Sequence, residues 1–340
     1  LPVSQRLSQA RRRSLVLALA GGAALASLSA RAQPAPGKGD ILIGRSTALS
    51  GGMAPFLAPI HEGQDAAVED ATAKGGIGGR KIRLVTLDDG FDPRRTLENA
   101  RQLSEKEGVL ALLGVSGTSQ VMALLPYLVQ AKLPLISVYT GSPAIRAQQH
   151  PYLFTTRASY ADEAEKLVQH LSTIGIQRIG IVYQNNSFGK EVYTAAKQSM
   201  DRLKLPDAVT VTVENNASDA GSAAAKLAGG NLEAIVIGLA GKPTMEFVKA
   251  FRALKRGVTL YALSVMGTPA TVKALGADAT GMAISQVVPL PSNAVMPVVR
   301  EFQTAWKASG ATAEPSHLAL EGYINARVFA EALQRAGRNP

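Results

Sequence analysis

The chain has 340 residues, with 36 Lys and Arg against 26 Asp and Glu, for a formal net charge of +10. Its 46% hydrophobic and 18% charged residues describe globular material, long enough for two ordinary domains or one large one, and argue against extensive disorder. The absence of cysteine excludes a disulfide framework, a thiolate-held metal and a thiol nucleophile. A single Trp and 5% aromatics speak against a base-stacking platform for nucleic acid.

The positive excess is concentrated at the start. Arg6, Arg11, Arg12, Arg13 and Arg31 fall within the first 32 residues, which hold no acidic residue, so half of the surplus lies there. An apolar run over 15–28 follows, then Ala30-Arg31-Ala32. This order reads as a cleavable secretory signal over 1–32, cut before Gln33, and predicts an exported protein. The run is shorter than the roughly 20 residues of a membrane-spanning helix. Arg12-Arg13-Ser14-Leu15-Val16 also resembles a twin-arginine export signal. Residues 33–39, QPAPGKG, read as a linker.

Beyond the linker, short branched runs alternate with amphipathic stretches. Strands are expected over 41–49, 81–87, 109–115 and 133–138, with helices over 63–74, 93–107 and 118–132. The second half repeats the alternation. Strands are expected over 179–183, 209–213, 234–239 and 259–263, and helices over 159–173, 188–203, 219–229, 243–255 and 268–275. Two last helices, 298–309 and 318–335, return to the first half. The alternation predicts an α/β protein of two doubly wound parallel-sheet lobes. Ligands then sit beyond the carboxyl ends of the strands. The loops there, Ser50-Gly51-Gly52, Ser116-Gly117-Thr118-Ser119, Tyr139-Thr140-Gly141-Ser142 and Asn185-Asn186-Ser187-Phe188-Gly189, are rich in hydroxyl and glycine residues. They suit an anion held on free backbone N–H groups.

Catalytic signatures are missing. His61, His150, His170 and His317 have no metal-ligand spacing, and His61 reads as a surface position at a helix start. Neither a GxSxG elbow nor a phosphate-binding loop is present. Asp88 and Asp89 are adjacent on a strand and so face opposite ways, which excludes joint acid–base work. No cofactor, metal or enzymatic activity is expected. Arg94-Arg95 and Lys255-Arg256 read as solvated helix faces, and nucleic acid is not an expected partner.

The segment 62–82, EGQDAAVEDATAKGGIGGRKI, resembles the first helix and turn of periplasmic branched-chain (leucine/isoleucine/valine) amino-acid-binding proteins, the type I solute receptors of ABC transporters. LVTLDDGFDP, GVSGTSQ, ISVYTGSP, FTTRAS, IGIVYQNNSFGKE and EAIVIGLAG follow in that family's order. The resemblance implies a type I periplasmic binding protein fold, with the ligand in the cleft between two hinged lobes, 40–156 plus 288–340 and 157–287. It also implies an ABC permease in the inner membrane as partner, delivery of solute to it, and a monomer. A periplasmic sensing module would use the same clamp, and an exported enzyme is the more distant reading. Relatives continue past the last helix with a further crossing, whereas this sequence stops at Pro340.

The same resemblance assigns a ligand carboxylate to Ser116, Gly117 and Thr118, with further contacts from Tyr139, Thr140 and Gly141. Phe56, in the first loop, and Phe188 match aromatic walls that are commonly Tyr in the family. Where amino-acid-binding relatives place an acidic partner for the α-ammonium, this chain reads Tyr261-Ala262-Leu263-Ser264-Val265-Met266-Gly267, with Met266 the expected contact. A buried ammonium without a counter-charge is costly. The expected ligand is therefore a small carboxylate with an aromatic, branched-chain or oxo-acid body rather than a plain amino acid.

Overall fold

The computed structural model describes residues 39–337. The predicted signal and nearly all of the predicted linker lie outside the described residues. Two five-stranded parallel sheets, each flanked by helices on both faces, form the two lobes of a doubly wound type I periplasmic-binding-protein fold.

The first sheet has the order β2-β1-β3-β4-β5, from Ile41–Thr47 (β1), Ile82–Asp88 (β2), Ala111–Leu113 (β3), Leu135–Ile136 (β4) and Leu153–Phe154 (β5). Its helices are Ala54–Ala73 (α1), Pro93–Glu105 (α2), Thr118–Ala131 (α3) and Pro143–Ala147 (α4). The second sheet has the order β10-β9-β8-β6-β7, from Ile179–Gln184 (β6), Val209–Val213 (β7), Ala234–Gly238 (β8), Thr259–Ala262 (β9) and Ala283–Ile284 (β10). Tyr160–Thr173 (α5), Ser187–Arg202 (α6), Ala220–Ala228 (α7), Lys242–Leu254 (α8) and Pro269–Leu275 (α9) belong with it. The chain crosses between sheets after Phe154 and again after Ile284. It then ends in Pro297–Ala308 (α10) and His317–Ala336 (α11).

Strand residues alternate between two cores, as the pleat requires. In β6, Ile181 packs beneath α5 and α6 with Leu167 and Val192, while its neighbour Val182 packs on the other face with Phe247 and Phe251 of α8. In the first lobe, Ile43 and Leu113 share a core with Phe302, Trp306 and Tyr323 of α10 and α11, so both terminal helices belong to this lobe's packing. The helices α1 and α11 touch backbone to backbone. A Cβ on Gly63 would lie 1.9 Å from the Ala319 carbonyl oxygen, and one on Gly322 would lie 2.1 Å from that of Ile60. Only glycine at both positions permits this crossing.

The structure corrects several sequence expectations. The first helix starts at Ala54, nine residues before the expected 63. Pro55 stands in its first turn, where a missing N–H costs nothing, and Phe56, Leu57 and Ile60 supply a buried stripe. Phe56 is therefore helical and not in a loop. His61 is buried within α1 and not at a surface helix start. The expected strands 109–115 and 133–138 shrink to three and two residues, because their ends bend into loops. The short elements β5, β10 and α4 carried too little periodicity to be expected. Lys255 is not merely solvated, since its ammonium donates to the Ala228 and Gly230 carbonyls at the end of α7.

Candidate ligand-binding cleft

The carboxyl ends of both sheets face a common cleft. Its first-lobe wall is made by Met53 just before α1, Phe56 and Leu57 of α1, Phe91 after β2, the start of α3 from Gly117 to Gln120, and Tyr139 after β4. The second-lobe wall is made by Tyr160, Gln184, Asn186, Phe188, Ala240 and Val265. The void measures about 80 Å³. None of the lining residues is Asp, Glu, Lys, Arg or His. Among the described residues no group of three or more His, Asp or Glu is placed to hold a metal ion.

Polar recognition in the first lobe comes from backbone. Gly117 is the N-cap of α3 at φ 99°, with no side-chain cap, and its own N–H donates to the Tyr139 carbonyl at 3.1 Å. The first-turn N–H groups of Thr118, Ser119 and Gln120 have no intrahelical acceptor, and a helix N-terminus favours negative charge. The first turn of α3 contains no acidic residue. A Cβ on Gly117 would lie 2.2 Å from Gln120 Oε1 and 2.9 Å from the Phe91 ring, so this corner is filled to contact.

Asp88 and Asp89 build that corner instead of doing chemistry. Asp89 accepts from the Ser46 and Thr96 hydroxyls, each at 3.0 Å, and from the Phe91 N–H at 2.8 Å. It thereby holds Phe91 at φ 64°, a left-handed conformation a bulky residue rarely adopts. Gln120 completes the grip by donating to the Phe91 carbonyl at 2.7 Å. Asp88 orders the neighbouring turn: burial alone would raise its pKa, but the Ser50 hydroxyl and the N–H groups of Gly90, Leu49 and Ser50 pull it well below the usual carboxylate range.

The second-lobe polar groups are tied to one another. Gln184 and Asn186 both donate to Asn215 Oδ1 at 2.8 Å, and Gln184 Oε1 accepts from the Ala240 N–H at 3.1 Å. Asn186 caps α6 by accepting from the Gly189 N–H at 3.0 Å. Tyr160 meets Phe188 edge to face at 5.0 Å between centroids, so this wall is mostly ring.

Of the nine residues singled out from sequence, Phe56, Gly117, Thr118, Tyr139 and Phe188 are brought together as cleft lining. Ser116 sits just behind, its hydroxyl 3.4 Å from the Gly114 carbonyl. Thr140 lies beneath Thr118, hydroxyl to hydroxyl at 2.8 Å. Gly141 lets the first crossing pass, since a Cβ there would lie 2.8 Å from the Tyr160 nitrogen. Met266 is not at the cleft: it is buried in the second-lobe core, and the short helical turn Ser264–Met266 presents Val265 instead. Phe91 and Tyr160 were missed because a positive-φ turn and an interlobe crossing leave no periodic trace. Gln120 was within reach, since it lies in the same helix turn as Gly117.

His61 lies behind the first wall, its Nε2 2.7 Å from Thr47 Oγ1. Burial, and then the Arg45 cation, lower its pKa to about 3, so it is neutral there. The carboxylates nearest the tyrosine walls, Glu163 and Glu321, are turned away onto Arg157.

Two parallel-sheet lobes closing on an uncharged cleft beneath a helix N-terminus define a solute-binding receptor. The periplasmic binding protein family model matches residues 40–340, and the chain belongs to that family. A substrate-binding periplasmic protein from Ralstonia solanacearum is 33% identical with a TM-score of 0.80, covering 88% of this chain and 86% of that one. A possible leucine/isoleucine/valine-binding protein from Rhodopirellula baltica is 28% identical with a TM-score of 0.82, covering 89% and 83%. An amino acid binding protein from Pseudomonas aeruginosa is 21% identical over 306 residues, 88% of this chain and 80% of the relative. The chain is thus a periplasmic solute-binding protein of an ABC transporter, related to the Leu/Ile/Val-binding proteins. It works with a membrane permease and a small-molecule ligand, and it is a binding protein rather than an enzyme.

Proposed function

We propose that the cleft clamps a small carboxylate with an aromatic, branched-chain or oxo-acid body, and that plain α-amino acids are poor ligands. The observation that carries this reading is the composition of the lining: five aromatic rings, open N–H groups at the start of α3, and no carboxylate to pair with an ammonium. An unpaired buried ammonium costs several kcal/mol, more than one apolar side chain returns. Solute-binding proteins from R. palustris with this fold, 22% and 20% identical, were solved in complex with 4-hydroxybenzoate and benzoate. They establish only that the fold accommodates such acids; the lining of this chain carries the argument.

In this proposal residues 40–156 with 288–340 and residues 157–287 are the two moving bodies. The carboxylate is held on the N–H groups of Thr118, Ser119 and Gln120, with side-chain-free Gly117 letting it approach, while Tyr139, Phe56 and Phe188 hold the body of the ligand. Ser116, Thr140 and Gly141 shape the wall from behind. The receptor acts as a monomer exported by a signal cut before Gln33, and delivers the acid to its permease. A thermal-shift panel pairing benzoate, phenylpyruvate and 4-methyl-2-oxopentanoate with phenylalanine and leucine tests the reading. A true ligand at 100 times its Kd stabilises by about 2.7 kcal/mol. Acids should shift the melt and amino acids should not; the reverse pattern overturns the proposal.

A further inference from the structure

Behind the two tyrosine walls lies a buried cluster that the binding site does not use. Arg157 stands on the first crossing, between β5 and α5. Its side chain is 1% exposed, yet it carries a full charge. Arg157 Nη2 donates to Glu163 Oε1 of α5 at 3.3 Å and to the Ser264 hydroxyl, both in the second lobe. Its Nε lies 3.5 Å from Glu321 Oε1 on α11, a first-lobe helix. Glu163 also reaches the second crossing: its Oε2 accepts from the Ser264 N–H at 2.8 Å and from the Ser285 hydroxyl at 2.6 Å. The Arg157 carbonyl in turn accepts from the Arg146 guanidinium. One cation therefore joins both lobes and both crossings.

The same guanidinium lies over the ring of Tyr139 at 4.9 Å from its centroid, and 5.9 Å from that of Tyr160. Those rings face the cleft from opposite lobes. Two backbone contacts fix these residues as well: Tyr139 bridges to Ser116 within the first lobe, and the Tyr160 N–H donates to the Gly141 carbonyl of the first lobe at 2.7 Å.

We propose that Arg157 is a positioning residue of the clamp: held by one carboxylate from each lobe, its planar cation sets the facing rings of Tyr139 and Tyr160 at the angle that closed lobes require. An arginine suits this role and a lysine does not. The fork donates to Glu163 through Nη2 and keeps its Nε edge within ion-pair distance of Glu321 while its flat face covers a ring, whereas an ammonium is a point charge with no face. Glu321 is the first-lobe arm of the device, and its neighbour Gly322 seats it where α11 touches α1. A buried ion cluster that only fills space is replaceable without loss of function. The two roles differ in what a conservative change does to ligand affinity.

The test compares R157K and E321Q with wild type in the full chain. Benzoate affinity is read by calorimetry, and lobe separation by spin labels on R94C and S218C, two exposed positions of opposite lobes, one in the first turn of α2 and one between β7 and α7. The absence of native cysteine confines the labels to those sites. R157K should weaken benzoate at least tenfold and move the separation in the ligand-free protein toward longer distances. E321Q, which leaves the Arg157–Glu163 pair intact, should do the same by about threefold. Wild-type affinity and wild-type distances in both variants would reduce Arg157 to hinge packing and overturn the proposal, even if their melting temperatures fall. The proposed ligand class enters only through the choice of benzoate. If wild type ignores benzoate, that class fails while the distances still judge Arg157; if R157K does not fold, E321Q decides.

Discussion

The two walls of the cleft are built by different means. The first-lobe wall offers backbone N–H groups at the start of α3, with Gly117 stripped of side chain so that nothing caps the helix. The second-lobe wall has polar side chains too, but Gln184, Asn186 and Asn215 spend their hydrogen bonds on each other. What it turns toward the ligand is chiefly Phe188, Tyr160 and Val265. On the proposed function, the contrast gives charge recognition to one lobe and the covering of an apolar body to the other. A ligand can then dock on the first wall and be sealed by the second.

That division is breakable by mutation. Gly117→Ala should have the largest effect, lowering benzoate affinity on the order of 100-fold, or about 2.8 kcal/mol by calorimetry. The new methyl meets Gln120 and Phe91 and forces a left-handed conformation on alanine. Phe188→Ala should weaken benzoate by about tenfold while leaving the preference for acids over amino acids intact, because the anion is read by the other wall. A switch of preference in that variant would erase the contrast.

Closure itself should respond more gently. The Ser142 hydroxyl caps α4, accepting from the Ile145 N–H at 3.2 Å, and donates across the lobes to Glu191 Oε1 at 2.6 Å. Neither residue lines the cleft, so Ser142→Ala should act through the population of closed protein, weakening benzoate by about threefold in a titration. An unchanged affinity would mean that the latch adds nothing to closure.

The smallest effect on binding is expected at His61. Its imidazole is pulled from 6.5 to about 3 by burial and then by Arg45. The unfolded chain takes up this proton near pH 6.5, while the folded chain resists until about pH 3. Stability is therefore intact above 6.5 and declines with a slope approaching one proton as pH falls through that window. H61Q should flatten this part of a denaturation-versus-pH curve without altering benzoate affinity at pH 7.5. A pH dependence identical to wild type would sink the assignment.

Much of this was legible from residues in order. Period-two runs and amphipathic stretches set out two α/β lobes, because the pleat and the helical repeat leave their spacing in the chain. The loops carrying Gly117, Thr118 and Tyr139 stood out because strands in such sheets end at ligands. The short strands β5 and β10 did not, since two residues hold no period, and the strand expected over 133–138 keeps only Leu135–Ile136. Nor did Phe91, whose place depends on Asp89 and Gln120 gripping it from two other segments.

The amino-acid sequence by itself determined the alternation of elements, the anion-ready helix start and the want of a catalytic constellation, all of them local properties of neighbouring residues. Tertiary structure alone decided that Val265 and not Met266 faces the cleft, that His61 is buried, and that Asp88 and Asp89 brace loops. It also placed Arg157 between Glu163 and Glu321, residues 6 and 164 positions away. Such pairings follow from how crossings and lobes pack, and packing is set by contacts between segments distant in the chain.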